Sequence, residues 1–220
     1  MKLLSVNISP TKLVEINGQQ VLTGIYKTPV QGRIWLSKLT LIGDGQADTS
    51  VHGGEHQAAY CYPFEHYAYW QYRLKIPNLA YGTFGENFTV SGLLEEDVCM
   101  GDILQIGNAK TGAIVQITMP RIPCFKFGHK IGHPDILDEF LKCGKSGFYL
   151  RVIQTGEVSA NDPISVIERD AQAISIRTAL GLQKLGEGDT PLLKRALSVT
   201  SITPLLKQIF EARLVSDNAP

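Results

Sequence analysis

Along the first two thirds of the chain, short apolar runs are broken every 8 to 15 residues by Gly, Pro, Asn or Asp. That is the punctuation of a sheet-rich fold. It predicts strands over 3–8, 13–16, 19–23, 34–41, 58–62, 87–90, 103–106, 113–118, 147–154 and 164–168. Asn17-Gly18, between two alternating runs, predicts a tight hairpin because both central residues of such a turn need positive φ. Two helices interrupt the strands. Pro63 sits where a first helical turn tolerates a missing N–H, and Phe64, Tyr67, Ala68 and Leu74 recur at helical spacing over 64–75. A second, shorter pattern covers 134–141, with Gly144 just beyond it. The many aromatic residues of the first helix read as core packing.

After Glu168 the alternation stops and a 3.6-residue period takes over in 170–184, 190–197 and 203–214. Asp189 supplies an N-cap, while Gly186 and Gly188 end the preceding helix. The pattern therefore predicts a mainly β fold with α: a β domain over 1–168 followed by a small helical module over 169–220.

Composition narrows the function classes. Of 220 residues, 44% are hydrophobic and 19% charged, enough to bury a core. Lys plus Arg and Asp plus Glu both number 21, so no global positive field exists to hold nucleic acid or an anionic membrane. No run approaches the roughly 20 apolar residues of a spanning helix, and the first ten residues lack a basic region followed by an apolar one, so a cytoplasmic protein is expected. Cys61, Cys99, Cys124 and Cys143 are scattered with no CxxC pair and are expected as reduced thiols.

Chemistry concentrates in three segments. From Met119 to His133 the chain carries Arg121, Lys126, Lys130 and two histidines without one acid. A thiol in that potential gains thiolate character: lowering its pKa from roughly 8.5 to about 7 raises the thiolate share near neutrality from a few per cent to about half. Pro120 and Pro123 forbid a helix around Arg121 and hold Cys124 on a stiff extended loop, which suits a metal ligand. The competing reading is a buried Cys at a strand end beside solvated lysines.

The second segment runs through Gly24–Arg33, Leu41–Asp48 and Val51–His56. Its glycines let backbone N–H groups approach a ligand, and Lys27 and Arg33 are candidate phosphate contacts; ordinary β-turns with solvent-facing cations are the alternative. His52-Gly-Gly-Glu-His56 matches the H-x-x-E-H zinc signature. That motif needs a helix, which two central glycines would cost about 2 kcal/mol, so the zinc-hydrolase reading is rejected. In the third segment, Gly82–Gly92, Glu86 and Asn87 are candidate contacts to the edge of a heterocycle, and an Asx turn explains Asn87 equally well.

Taken in order, Lys27-Thr-Pro-Val-Gln-Gly-Arg33, Gly43-Asp44, Val51-His-Gly-Gly54, Tyr62-Pro-Phe-Glu-His-Tyr67, Phe84-Gly-Glu-Asn87, Gly101-Asp102 and Pro120-Arg-Ile-Pro-Cys-Phe-Lys126 resemble the MOSC family, named for the C-terminal domain of molybdenum cofactor sulfurase, in its YiiM-like branch. The resemblance covers most of 1–168, and the helices after it are similar to the three-helix module of that branch. It implies a MOSC-type β-barrel that holds the molybdenum cofactor (molybdopterin), with Cys124 as metal ligand. Lys27, Arg33 and Arg121 become candidate anion contacts, and Glu86 with Asn87 heterocycle contacts. His52 and Asp48 are candidates to donate a proton or orient water.

The activity implied is an oxidoreductase that reduces N-hydroxylated small molecules, such as hydroxylaminopurines, to amines and so detoxifies them. An external electron-donating reductase would recharge the metal. The chain lacks the pyridoxal-phosphate domain of the larger sulfurase, so sulfuration by this polypeptide alone is not expected. Two further readings are a sulfur carrier using a Cys124 persulfide and a non-catalytic pterin-binding module.

Overall fold

The computed structural model describes residues 1–47, 53–133 and 135–217. Among them the strands are β1 (Lys2–Ile8), β2 (Lys12–Ile16), β3 (Gln19–Thr23), β4 (Thr28–Pro29), β5 (Ile34–Leu36), β6 (Ala59–Pro63), β7 (Phe88–Ser91), β8 (Ile103–Ile106), β9 (Ala113–Pro120), β10 (Phe148–Gln154), β11 (Gly156–Val158) and β12 (Ile164–Glu168). The helices are α1 (Tyr67–Leu74), α2 (Phe125–Ile131), α3 (Ile136–Lys142), α4 (Ile176–Leu180), α5 (Thr190–Leu197) and α6 (Pro204–Asp217).

Eight strands form one mixed sheet in the order β12-β8-β9-β10-β6-β7-β1-β4, in which β6 and β7 run parallel and their neighbours antiparallel. The sheet curls on itself. Lys2 bridges to Pro163 just before β12, flanked by Leu3 N–H donating to the Asp162 carbonyl (3.0 Å) and Ile164 N–H donating to the Met1 carbonyl (3.0 Å). This short seam covers an otherwise open edge and makes the sheet barrel-like.

The β2–β3 hairpin turns at Asn17 (φ 52°) and Gly18 (φ 77°), the left-handed pair its sequence predicts. Two elements are shorter than their patterns. The strand expected over 34–41 stops at Leu36, because the Ser37 hydroxyl accepts from Thr40 N–H and donates to the Thr40 carbonyl, folding the chain into a turn. The helix expected from 170 begins only at Ile176, capped by the Ser175 hydroxyl. Asp170 instead closes an Asx turn onto Gln172 N–H (2.8 Å), and Ala173 adopts a left-handed φ of 47°.

The main core joins barrel side chains such as Val6, Phe88, Leu104 and Ile117 to Ile174, just before α4, and to Leu193 and Phe210 of the C-terminal helices. A second, aromatic core of Tyr60, Tyr62, Trp70, Phe84, Phe127 and Phe140 lies beneath α1, α2 and α3. Tyr67 and Trp70 are buried there, so the α1 aromatics pack the interior as their spacing predicts, while Tyr72 faces solvent.

Candidate functional site

The end of β9 and the start of α2 fix the thiol. Cys124 is extended (φ −122°, ψ 172°) and caps α2, its carbonyl accepting from Phe127 N–H (2.9 Å) and Gly128 N–H (3.2 Å). The prolines act as expected up to Pro123, but α2 begins immediately afterwards and was missed: Phe127 turns into the aromatic core, and Gly132 (φ 70°) ends the helix. Cys124 is half-buried and lines a hollow of about 720 Å³ counted out to its open mouth. Opposite walls come from the loop after β3 (Gly24, Ile25, Lys27), the turn at Asp44–Ala47, and Tyr60 of β6. Burial pushes the thiols of Cys61, Cys99 and Cys143 up, so they stay protonated and none lies in this hollow.

Three cations reach the hollow: Lys27, Arg121 and Lys126. Arg121 is 5% exposed, with its guanidinium carbon 4.4 Å from the Phe127 ring centroid and 5.1 Å from those of Tyr60 and Phe140. Its Nη1 has no hydrogen-bond partner, and neither Arg121 nor Lys126 is ion-paired to a carboxylate among the described residues. The guanidinium also meets the Tyr149 hydroxyl, yet a buried cation with one N–H left over and no carboxylate beside it is costly unless an anion joins it. Of the buried polar atoms left without a partner among the described residues, this one belongs to a residue lining the hollow, and it marks the hollow as a ligand site. Lys27 differs, because its ammonium sits 2.5 Å from Asp44 Oδ1. Desolvation lowers its pKa even though the charge of Asp44 opposes the shift.

The remaining candidates divide. Asn87 lines the hollow, but its side chain is spent: Oδ1 accepts from Tyr60 N–H (3.1 Å), and Nδ2 donates to the Asn7 carbonyl (3.3 Å) and Asp44 Oδ2 (2.9 Å). It holds Asp44 in place. Glu86 is sealed from the hollow. Its carboxylate accepts from the Tyr67 hydroxyl, Gly82 N–H (2.8 Å), Phe84 N–H (3.0 Å) and the Thr89 hydroxyl (3.0 Å), so it knots the turn before β7 and reads no heterocycle. Arg33 stands away from the hollow, half-exposed and 3.5 Å from Asp162. Asp48 and His52 lie outside the described residues. Gly53 (φ 109°) and Gly54 (φ 76°) of the rejected zinc motif are in conformations no α-helix contains.

The glycines do other work than expected. A Cβ on Gly24 would lie 2.1 Å from the Gly45 carbonyl oxygen, so this glycine lets two loops close on each other. Gly45 N–H is spent on the Ser9 carbonyl (2.8 Å) and Gly85 N–H on the Gly82 carbonyl (3.0 Å). Those two N–H groups are thus spent within the wall and not offered to an anion. Asp44 was missed as a site residue, although Gly43-Asp44 stood out in the sequence. Its importance comes from four converging donors: Ser9 N–H, Lys27, the Thr40 hydroxyl and Asn87.

Residues 48–165 match the model of the MOSC domain. The chain is 35% identical over 200 residues to YflK of Bacillus subtilis, covering 91% of this chain and 88% of that one. It is 32% identical over 154 residues to a protein of Gibberella moniliformis named as a reductase, covering 69% of this chain but only 27% of the fungal one. The crystal structure of YiiM from Geobacillus stearothermophilus is similar throughout, with a TM-score of 0.79, 33% identity, and 97% and 98% of the two chains covered.

Proposed function

Because the chain belongs to the MOSC domain family, we propose that its hollow binds the molybdenum cofactor and that the protein reduces N-hydroxylated compounds, such as hydroxylaminopurines, to amines. The observation that carries this reading is the half-buried Cys124 thiol sharing a hollow with the orphaned, buried Arg121 guanidinium. The donor set fits the group. A soft thiolate suits a metal already held by dithiolene sulfur, and a guanidinium suits the phosphate of the pterin. Cys124 is the metal ligand, and Arg121 with Lys126 supplies the positive charge. Lys27 is already neutralised by Asp44 and contributes less to anion binding.

The cofactor, when bound, supplies two-electron oxygen-transfer chemistry. The chain supplies position and exclusion. Ile25 and Ile122 present apolar surface beside the polar wall, and the cation–π stack fixes Arg121 so that it needs no reorganisation when charge arrives. Electrons come from an external reductase, and a cytoplasmic setting keeps the Cys124 thiol reduced. The fungal relative named as a reductase supports an oxidoreductase reading.

The test uses protein made in a host that synthesises the cofactor and poised with a reduced viologen dye. Hydroxylaminopurine is expected to reoxidise the dye and leave the aminopurine, and Cys124→Ser to abolish the reaction. A molybdenum-loaded wild type that leaves the dye reduced contradicts the proposal.

A further inference from the structure

We propose that Lys27, held by Asp44, is the acid that protonates the leaving oxygen in this hollow, an inference that rests on the reductase reading above. Reduction of R–NH–OH to R–NH2 and H2O breaks the N–O bond and consumes two electrons, from the external reductase, and two protons. Oxygen leaves as water only if an acid delivers a proton to it, and a poor leaving group gains most from a positioned donor.

The described groups lining the hollow are unequal to that task. Arg121 does not give up its proton at any accessible pH. Burial pushes the Tyr60 and Tyr149 hydroxyls up, so they hold theirs. Cys124 is committed to the metal, and Asp44, with four donors pointed at it, is an acceptor. Lys27 remains. Its side chain is 9% exposed, it lines the hollow, and its ammonium is aimed by a carboxylate that is itself fixed by Ser9, Thr40 and Asn87.

Burial loosens its proton, against the opposing charges of Asp44 and Glu86. Lys130 is a second ammonium within electrostatic reach, and there the effect runs from Lys27 onto Lys130, whose pKa it lowers. Lys126 shares the wall but has no carboxylate to aim it among the described residues. After the transfer Lys27 is neutral beside the Asp44 anion and regains its proton from water at the open mouth. The second proton reaches nitrogen from solvent.

The experiment uses the cofactor-loaded protein. Lys27→Arg keeps the charge but cannot release a proton, so kcat is expected to fall by about tenfold to a hundredfold while molybdenum content and KM stay as in wild type. The fall in wild-type kcat as pH rises through the Lys27 pKa should vanish in this variant. Asp44→Asn removes the anion that holds the proton, so the same limb should move to lower pH by about one unit or more.

A readout independent of turnover is competitive acetic anhydride labelling followed by mass spectrometry across pH. Lys27 should titrate below the ordinary lysine value, at the pH of the kinetic limb. The inference is overturned if Lys27→Arg keeps wild-type kcat, if it loses molybdenum, if only Lys126→Arg removes the limb, or if Lys27 labels with the ordinary pH dependence of a lysine. A wild type that carries molybdenum and reduces no N-hydroxylated compound overturns the reading of the site as well, which separates the two failures.

Discussion

Glu86 and Arg121 are both buried, yet their partners differ completely and so do their roles. Arg121 has ring faces and an orphaned Nη1, so it waits for an anion; Glu86 has four donors of its own and needs nothing more. Removing Glu86 leaves buried N–H and O–H groups unpaired at about 1–3 kcal/mol each. Glu86→Ala is therefore expected to cost at least about 3 kcal/mol in urea unfolding, with Glu86→Gln costing less. An alanine variant as stable as wild type contradicts the knot. The two fates were not separable in the sequence. Arg121 was legible as a cation beside a cysteine, but its cage draws on Tyr60, Phe127 and Phe140, which come together only through the sheet and two helices. Glu86 was legible as a polar residue between a glycine turn and a strand, and nothing local revealed that Tyr67 would reach across to it.

At the scale of elements, the sequence announced strands and hairpins well, because alternation and Asn17-Gly18 act locally. Helix α2 escaped, since Pro120 and Pro123 dominate the reading of the segment that precedes it and its single deep anchor, Phe127, is visible only against α3. Lys130 ties this helix to two pocket loops, donating to the carbonyls of Ile25 (2.9 Å) and Gly82 (2.6 Å). Burial depresses its pKa to about 8, with Arg121 and Lys27 adding to the fall and Glu86 opposing it. The unfolded chain holds that proton up to about pH 10.4, so between the two values it binds more protons than the folded chain. The penalty for burying the charge is thus full below pH 8 and relieved as pH rises toward 10.4. Wild type is expected to gain up to a few kcal/mol relative to Lys130→Met over that window, read by denaturant unfolding at each pH. Parallel pH curves contradict this account of the strap.

The whole molecule explains why the hollow sits where it does. Curling the sheet onto the Lys2–Pro163 seam brings the loop after β3, the Asp44 turn and the end of β9 to one side of the barrel. The helices after Glu168 brace the rest, with Asp102 accepting from Arg169 (2.6 Å) and Asp170 N–H (3.0 Å), and Arg213 donating to the carbonyls of Leu182, Gly186, Glu187 and Gly188. Among the described residues no helix is long and apolar enough to cross a membrane. The balance of 21 cations against 21 anions gave no hint of where charge gathers, and folding gathers it at Arg121 and Lys126. The central claim is that Cys124 in this basic hollow holds a metal. Elemental analysis of protein purified from a cofactor-competent host tests it directly: molybdenum near one equivalent per chain in wild type and none in the folded Cys124→Ser variant is the expected result. Equal molybdenum in both proteins would contradict it.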